Sequence, residues 1–201
     1  MSMDKIFESI GQNIIGPILI GSSGAAILFF REWFKSKKKP YSIRISAEKN
    51  DKIQDVLLEI RLRLNADRAY VSMFHNGNKY IEGSEILKKS RTNESAGPGI
   101  SFEAQHYQNI LISLMPDEMK LVTQAGPSFT KVDDLQDGKF KRMLVRSGIK
   151  CTARCAISRN KDIIGFVGLD YNRDLEKPPE NINELCNAAG IIEQIIADYD
   201  R

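Results

Sequence analysis

The residues best suited to hold a charged small molecule lie on two predicted strands in the C-terminal half of the chain. Lys150, Thr152 and Arg154 alternate along the first strand and therefore share one face, and Asp170 lies on the second. An arginine can grip a carboxylate or phosphate through two parallel hydrogen bonds, and a neighbouring carboxylate can orient it. The pattern predicts either an anion-binding site that includes Thr152, Arg154 and Asp170, or a cross-strand Arg–Asp pair on a solvated face.

Two further candidates stand near the end of the first predicted strand, residues 68–77. Phe74 and His75 belong to the candidate ligand-binding set, in which the histidine would contact a ligand or act as an acid or base. The alternative is that His75 flanks a turn and hydrogen-bonds locally. The same alternative applies to His106, which lies in a predicted helix.

The three cysteines, Cys151, Cys155 and Cys186, are predicted to be reduced thiols, as in a reducing compartment. A strand carries Cys151 and Cys155 ~13 Å apart, whereas a disulfide needs Cα atoms within about 7 Å. Neither CxxC nor HxxxH spacing appears in the chain, so we predict no metal site and no cofactor.

Motifs of the common enzyme classes are missing from the sequence. The chain contains no Walker loop, no GxGxxG, no HExxH and no serine nucleophile elbow, so we predict no enzymatic activity. The formal net charge is +3 over 201 residues, but residues 31–39 alone carry +4 and the residues after 39 sum to zero. Because that larger part has no bulk positive field, the sequence disfavours a nucleic-acid partner.

An uncharged stretch of 22 residues, 9–30, predicts a membrane-spanning helix. As a helix it would be ~33 Å long, close to the thickness of a bilayer's hydrocarbon core. Small residues that permit close helix packing recur along it: Gly21, Ser22, Ala25 and Ala26. The alternative is a buried helix or the core of an oligomer.

Basic and aromatic residues follow this stretch directly. The predicted membrane-interface residues are Arg31, Trp33, Lys35, Lys37, Lys38 and Lys39. Positive charge on the C-terminal side places that side in the cytoplasm. We therefore predict a single-pass protein of the cell inner membrane, with residues 1–40 as the anchor and residues 41–201 as one domain.

The periodicity of apolar residues after Pro40 predicts an α+β domain. A helix over 48–65 places Ile53, Val56, Leu57, Ile60 and Leu64 on one face. A hairpin follows with its turn at Asn76-Gly77 and a return strand over 78–82. Residues 83–100 are then predicted to be irregular chain or a short strand with a loop. The predicted order continues with a helix within 101–121 interrupted at Pro116, a loop over 126–137, a helix over 138–147, strands over 149–158 and 163–171, and a helix over 180–199.

The C-terminal part of the chain resembles the second half of a GAF domain. The resemblance lies in the residues FKRMLVRSGIKCTARCAIS, a short turn, the residues IIGFVGLDY, a Pro-rich gap and a long terminal helix. Residues 48–77 are similar to the opening helix and first strand of this family of small sensory domains, so the resemblance covers residues 48–199. It implies a GAF/PAS-like antiparallel sheet with N- and C-terminal helices on one face, a ligand pocket on the other face, and dimerisation through the terminal helices.

The sequence departs from two motifs of that family. It has no counterpart of the Asn-Lys-Phe-Asp-Glu set of cyclic-nucleotide GAF domains, and no Cys-His pair of the kind that holds a bilin. The resemblance therefore does not name a ligand.

Two main hypotheses about function follow. The first is a membrane-anchored sensory or regulatory GAF-like module that binds a small molecule or a protein partner as a homodimer or higher homo-oligomer. The second is a membrane-active or assembly protein, such as a holin-like lysis protein or a virion component, that oligomerises through residues 9–30. The resemblance also implies a third, a cysteine-based GAF-type methionine sulfoxide reductase, although small buried hydrophobes are the simpler interpretation of the cysteines.

Overall fold

The computed structural model describes residues 42–79 and 85–200 and builds them around one antiparallel sheet with the strand order β3-β2-β1-β6-β5-β4. The helices and strands are α1 Ile43–Arg63, β1 Arg68–Lys79, β2 Glu85–Ala96, β3 Ile110–Leu111, α2 Pro116–Val122, β4 Ser128–Lys131, α3 Lys139–Arg146, β5 Cys151–Arg159, β6 Asp162–Tyr171 and α4 Glu184–Asp200. Single 3-10 turns span Ala104–Tyr107 and Ile112–Leu114. An antiparallel sheet combined with helices confirms the predicted α+β class.

The helices α1 and α4 pack on one face of the sheet. Ile53, Leu57 and Ile60 of α1 are buried at helical spacing, as the sequence predicts, and meet Leu185 and Ile192 of α4 in the largest apolar core. Each of these positions lies on one stripe of its helix, so burial of that stripe removes apolar surface from water and holds the helix in place.

The two ends of this helix pair fix its direction. Arg63 at the end of α1 bonds Glu184 at the start of α4 at 3.4 Å, and the Lys52 ammonium lies 5.1 Å from the ring centroid of Tyr199 near the end of α4. The helices therefore run antiparallel, with the first turns of α1 extending beyond this contact.

The strands β5 and β6 form the predicted hairpin. Asn160 and Lys161 form its turn with φ of 52° and 74°, and the alternation of side chains is as predicted. Cys151, Ala153 and Val167 face the helices, and both faces of these strands are buried. Burial on both faces corrects the idea that the polar face of β5 is solvated.

The hairpin of β1 and β2 differs from the prediction. Asn76 and Gly77 lie within β1 rather than at a turn, where Asn76 pairs with Leu87 and a register shift follows. Gly77 lies at this register shift, and glycines within strands often mark such bulges. The return strand is residues 85–96, not 78–82, and it is longer than the short strand that was one of the two alternatives predicted for residues 83–100.

Other short elements also depart from the expected pattern. Pro116 begins α2 instead of interrupting a longer helix, since proline suits the first helical turn, where no N–H bond is lost. The predicted loop over 126–137 contains β4, which pairs with β5 along one edge of the sheet. The helix over 138–147 is confirmed as α3, and Gly148 follows it with φ of 69°.

The cysteines are not all reduced thiols. Cys155 on β5 and Cys186 on α4 form a disulfide with their Cα atoms 5.4 Å apart, while Cys151 is free and buried. The reduced-thiol prediction fails because packing of α4 on the sheet brings together two residues 31 apart in sequence, a contact that spacing along the chain does not reveal.

The predicted membrane segment 9–30, its packing residues Gly21, Ser22, Ala25 and Ala26, and the interface residues 31–39 lie outside the described residues. Within residues 42–79 and 85–200, no helix is long and apolar enough to cross a bilayer.

Two glycines of β6 permit close approach, as the sequence suggested, and the groups that approach belong to the protein itself. A Cβ on Gly168 would lie 2.4 Å from Cζ of Tyr70, and one on Gly165 would lie 2.5 Å from the carbonyl oxygen of Ser72. The ring of Tyr70 therefore lies directly over Gly168 on the face away from α1 and α4.

We expect Gly168→Ala to lower the free energy of unfolding by about 1–3 kcal/mol, because the new methyl group overlaps the buried Tyr70 ring. Gly190→Ala in α4 is the matched control, since a Cβ there meets no atom within 4 Å. Replacing that helical glycine should stabilise by about 0.5–1 kcal/mol. Urea unfolding of both variants checks the pair, and equal effects would contradict the described contact.

Candidate functional site

The face of the sheet opposite α1 and α4 carries a buried network of seven charged side chains, each at most 2% exposed. We call it the buried charge network. Its cations are Arg68, Lys89, Arg91 and Arg154, and its carboxylates are Glu94, Glu118 and Asp170. The strands β1, β2, β5 and β6 and the helix α2 contribute these residues.

Asp170 links the two halves of the network. Its Oδ1 accepts a 2.7 Å hydrogen bond from the Thr152 hydroxyl and lies 3.4 Å from Nη1 of Arg154. Its Oδ2 lies 3.8 Å from both Arg68 Nη1 and Arg91 Nη2. The structure therefore brings together Thr152, Arg154 and Asp170, as the sequence predicts for the candidate site, but with two further arginines and away from solvent.

Glu94 holds the other side of the network. Its Oε1 lies 2.6 Å from Nε of Arg68 as an ion pair and accepts a hydrogen bond from Nη1 of Arg91 at 3.3 Å. The backbone N–H of Glu103 also points at both of its carboxylate oxygens, at 3.0 and 3.1 Å. One buried carboxylate thus fixes two arginines and the chain segment that follows β2.

Lys89 and Glu118 form a third part of the network. The Lys89 ammonium donates to the Glu118 carboxylate, and Nε of Arg154 lies 3.7 Å from the same group. Burial lowers the pKa of Lys89, and the Glu118 carboxylate opposes that effect. Desolvation and ion pairing are therefore in competition at this lysine.

The network contains more cationic than anionic groups and is not fully hydrogen-bonded. Four cations face three carboxylates, and Arg91 Nε, the Tyr70 hydroxyl and Asp170 Oδ2 have no hydrogen-bond partner within the described chain. Burial of excess charge and of unpaired polar atoms is costly. The seven groups therefore carry a formal net charge of +1, which a nearby anion would balance.

Two aromatic rings enclose Arg91. The Cζ atom of its guanidinium lies 3.5 Å from the ring centroid of Tyr70 and 4.0 Å from that of Tyr107. Such stacking on both faces stabilises a cation in a desolvated site. Tyr70 lies against the sheet, whereas Tyr107 belongs to the segment that covers the network.

The covering segment, residues 97–111, is tied to the sheet by polar contacts. Nη2 of Arg68 donates to the Ser101 carbonyl at 2.7 Å, and the side chain of Gln108 donates to the Arg91 carbonyl at 2.7 Å. The backbone N–H of Asn109 donates to the Ser90 hydroxyl at 2.9 Å. The cover is therefore held by the same strands that carry the network.

A cleft of about 670 Å³ opens between this segment and α3. Its apolar lining consists of Tyr107, Ile110, Leu111, Leu114 and Met143. Exposed basic residues, Lys139 and Arg146 of α3, line the opposite side, and neither forms an ion pair with a described residue. Because Tyr107 forms part of the cleft and also stacks on Arg91, the cleft directly adjoins the buried charge network.

The remaining sequence candidates lie elsewhere. Phe74 is half-buried and packs against Phe166, with ring centroids 6.0 Å apart. His75 lies within β1, not beside a turn, and hydrogen-bonds the Ser90 hydroxyl of the neighbouring strand β2 at 2.9 Å. His106 lies on the rim of the cleft and pairs with Glu103 at 3.1 Å.

Sequence reasoning missed most of the buried charge network. The strand β2 is rich in polar residues and carries three members of the network, Lys89, Arg91 and Glu94. Their spacing does not distinguish a buried face from a solvated one. A lysine or arginine at every second position is the only signal, and an exposed edge strand shows it too.

None of the cysteines offers an accessible thiol. Cys151 is fully buried, and Cys155 and Cys186 are paired with each other. In the described residues there is also no group of three or more His, Cys, Asp or Glu placed to hold a metal ion.

The fold is similar to that of known GAF domains. A GAF domain/HD domain protein from Geobacter sulfurreducens is 11% identical with a TM-score of 0.55, over 75% of this chain and 93% of that one. The blue-light absorbing form of the PixJ GAF domain from Thermosynechococcus elongatus is 12% identical with a TM-score of 0.54, over 78% and 91%. A phycoerythrobilin-bound GAF domain from a cyanobacterial phytochrome is 15% identical with a TM-score of 0.54, over 78% and 92%.

These similarities show that the described residues adopt a GAF-like fold, which confirms that part of the resemblance seen in the sequence. No protein-family model and no curated protein sequence matches the chain. The structural matches have low identity and so establish the fold alone.

We expect Glu94→Gln to lower the free energy of unfolding by about 3–5 kcal/mol, since it leaves Arg68 and Arg91 buried with less compensating charge. Glu59→Gln is the matched control: Glu59 pairs with Arg63 at 2.7 Å, but both side chains are 60% exposed. That exposed pair should contribute about 0–1 kcal/mol. Chemical denaturation of both variants measures the contrast, which a similar loss in each would refute.

The lowered pKa of Lys89 gives a second prediction. The unfolded chain, with a lysine pKa near its ordinary value of 10.5, binds this proton more tightly than the folded chain. Stability therefore rises with pH between the lowered pKa and 10.5. We expect the stability of wild type minus that of Lys89→Met to increase over this alkaline window.

Urea unfolding at a series of pH values measures that difference. Subtraction removes the opposing effect of Tyr70, whose pKa burial raises and which both proteins share. Lys88→Met, on the neighbouring residue of β2, is the matched control for the loss of one lysine side chain. A difference for Lys89→Met that does not vary with pH would show that this lysine does not titrate as described.

Proposed function

We propose that this chain is a sensory or regulatory module that binds a small molecule in the cleft between residues 97–111 and α3. The molecule carries a negative charge beside an apolar or aromatic group. One observation carries the proposal: the cleft places two exposed cations, which have no ion-pair partner among the described residues, opposite an apolar lining and beside a buried network with excess positive charge.

The charges favour an anion over a neutral or cationic ligand. Lys139 and Arg146 can reach a carboxylate, phosphate or sulfonate from α3, and a guanidinium suits two parallel hydrogen bonds. The only cleft carboxylate among the described lining residues is Glu103, which pairs with His106. A cationic ligand would therefore face like charges.

The apolar lining favours a ligand with a hydrophobic part. Leu114 is 45% exposed, and Tyr107, Ile110 and Met143 complete a concave surface around it. A cleft of about 670 Å³ falls within the ordinary size range of small-molecule sites. Burial of an apolar ligand group here would supply affinity, while the two cations would fix its orientation.

Binding in the cleft can be transmitted to the sheet through Tyr107. Its ring contacts Arg91, which lies 3.8 Å from Asp170 on the central strand β6. A ligand that shifts Tyr107 thus changes the environment of a buried arginine. This connection supports a regulatory role for the site and not mere ligand storage.

Membrane anchoring and self-association belong to the same proposal. We retain residues 9–30 as an anchor in the inner membrane with the C-terminal domain in the cytoplasm, on the hydropathy and charge of the sequence. Exposed Leu58 and Leu62 of α1 and Ile191 of α4, at 44%, 61% and 48%, support pairing with a second copy. The holin-like or virion alternative gains no support from the residues that the structure describes.

Native mass spectrometry of the full chain from its host tests whether a small molecule is retained. Calorimetric titration then tests the ligand class with two matched probes, the aromatic carboxylate naphthoate and its neutral amide naphthamide. We expect the carboxylate to bind more tightly by about tenfold or more, the value of one charged hydrogen bond. Arg146→Gln should remove most of that preference.

Arg142→Gln is the matched control, because Arg142 lies on the same helix but does not line the cleft. It should keep the preference for the carboxylate. Binding of both probes with equal affinity would overturn the anionic ligand class. No retained molecule and no binding of either probe would overturn the ligand-binding function itself.

A further inference from the structure

A second cleft, of about 550 Å³, lies against the disulfide that joins α4 to β5. Both cysteines line it, together with Gly126, Ala189, Gly190 and Glu193. This second cleft is separate from the ligand cleft, since no described residue lines both.

The disulfide is within reach of a molecule in this cleft. Cys186 is half-buried and Cys155 is 6% exposed, so Cys186 is the more exposed residue of the pair and the one that we assign as the site of attack. The neighbouring wall is open, since a Cβ added to Gly190 or to Gly126 would meet no atom within 4 Å. A thiolate therefore finds both an opening and room beside the bond.

The third cysteine cannot take part. Cys151 is fully buried, and its sulfur lies 3.4 Å from the backbone nitrogen of Leu175, away from the second cleft. Cys151 therefore cannot exchange with the disulfide, and the bond is reduced only by a thiol of another molecule.

The helix α4 has enough other contacts to stay docked when the bond is broken. Leu185, Ala189 and Ile192 are at most 2% exposed in the apolar core. Glu193 also pairs with Arg159 of β5 at 3.0 Å. These contacts do not depend on the disulfide, so we expect the reduced form to stay folded and to differ in that α4 is no longer covalently held to the sheet.

We propose that the Cys155–Cys186 disulfide is a reversible redox site, reduced in the folded protein by a dithiol that enters the second cleft, and that its state sets how firmly α4 is held on β5. This inference does not depend on the proposed ligand site. It assigns the cleft a thiol reductant as its partner.

The reaction is a balanced thiol–disulfide exchange. A thiolate of the dithiol attacks Cys186 Sγ, the S–S bond breaks, and Cys155 leaves as a thiolate that takes up a proton. The second thiolate of the reductant then attacks the reductant's other sulfur, which is bonded to Cys186 in the mixed disulfide. Cys186 is released and protonated, the reductant becomes a cyclic disulfide, and two electrons have passed to the protein.

The test uses the full chain and dithiothreitol without denaturant. After timed exposure, thiols are alkylated with iodoacetamide and located by peptide mass spectrometry. We expect Cys155 and Cys186 to become labelled at least about tenfold faster than Cys151. Labelling of the buried Cys151 requires a larger unfolding of the protein, so its rate is the internal reference. Labelling of all three cysteines together would show a purely structural disulfide and overturn the proposal.

Hydrogen exchange of the α4 amides tests the consequence of reduction. Reduction should speed exchange over residues 184–199 by about threefold or more, because a covalent restraint on local opening is lost. Reoxidation should restore the slow exchange. Unchanged exchange would overturn the claim that the bond controls α4.

Two variants sharpen the comparison. Cys186→Ser, at the half-buried position, should behave like the reduced wild type and lose its response to dithiothreitol. Cys151→Ser should keep both the oxidised behaviour and the response, because Cys151 lies outside the pair. If Cys186→Ser does not fold, Cys155→Ser provides the same comparison. A persistent response in either variant of the pair would contradict the assignment.

Discussion

The Asp170 carboxylate, buried where three strands meet, is the constraint on which the opposite face of the sheet depends. Arg68 of β1 and Thr152 of β5 are its direct cross-strand neighbours. A carboxylate with no exposed surface must be neutralised by its surroundings, and here Thr152, Arg154, Arg68 and Arg91 do so. The register of the central strands therefore follows from electrostatics on one face as much as from apolar packing on the other.

This arrangement also determines where a ligand can lie. Charged side chains fill the layer directly above the sheet, with Tyr70 and Phe166 between them. The accessible cavity is displaced outward, to the space between the covering segment and α3. One fold can present very different sites, and in this chain the inner layer is occupied by the chain's own residues.

Apolar periodicity predicted the elements that build the main core. The helices α1, α3 and α4 were visible because each buries one regular stripe, and the β5–β6 hairpin was visible because two runs rich in apolar residues flank a short polar turn. The strand β2 was predicted only as one of two alternatives, since its buried positions Lys89, Arg91 and Glu94 are charged and resemble a solvated strand. A pattern of hydrophobicity cannot reveal a face that is buried by mutual charge compensation.

The candidate site was predictable only in part for the same reason. The spacing of Thr152, Arg154 and Asp170 was sufficient to group them, because a hairpin fixes the relative positions of its two strands. The cation-lined cleft and the disulfide join segments far apart in the chain, and such contacts depend on tertiary packing. Local spacing carries no information about them.

The strand order has a consequence for how the protein forms during synthesis. The first strand, β1, lies beside the last, β6, at the centre of the sheet. On a ribosome, β1 and β2 emerge long before their neutralising partner, Asp170, has been made. Until β6 arrives, Arg68 and Arg91 have only Glu94 as a carboxylate partner, so they remain hydrated and the nascent sheet stays open. The centre of the sheet is therefore completed by its last strand, which supplies both backbone pairing and the missing negative charge, and α4 follows it.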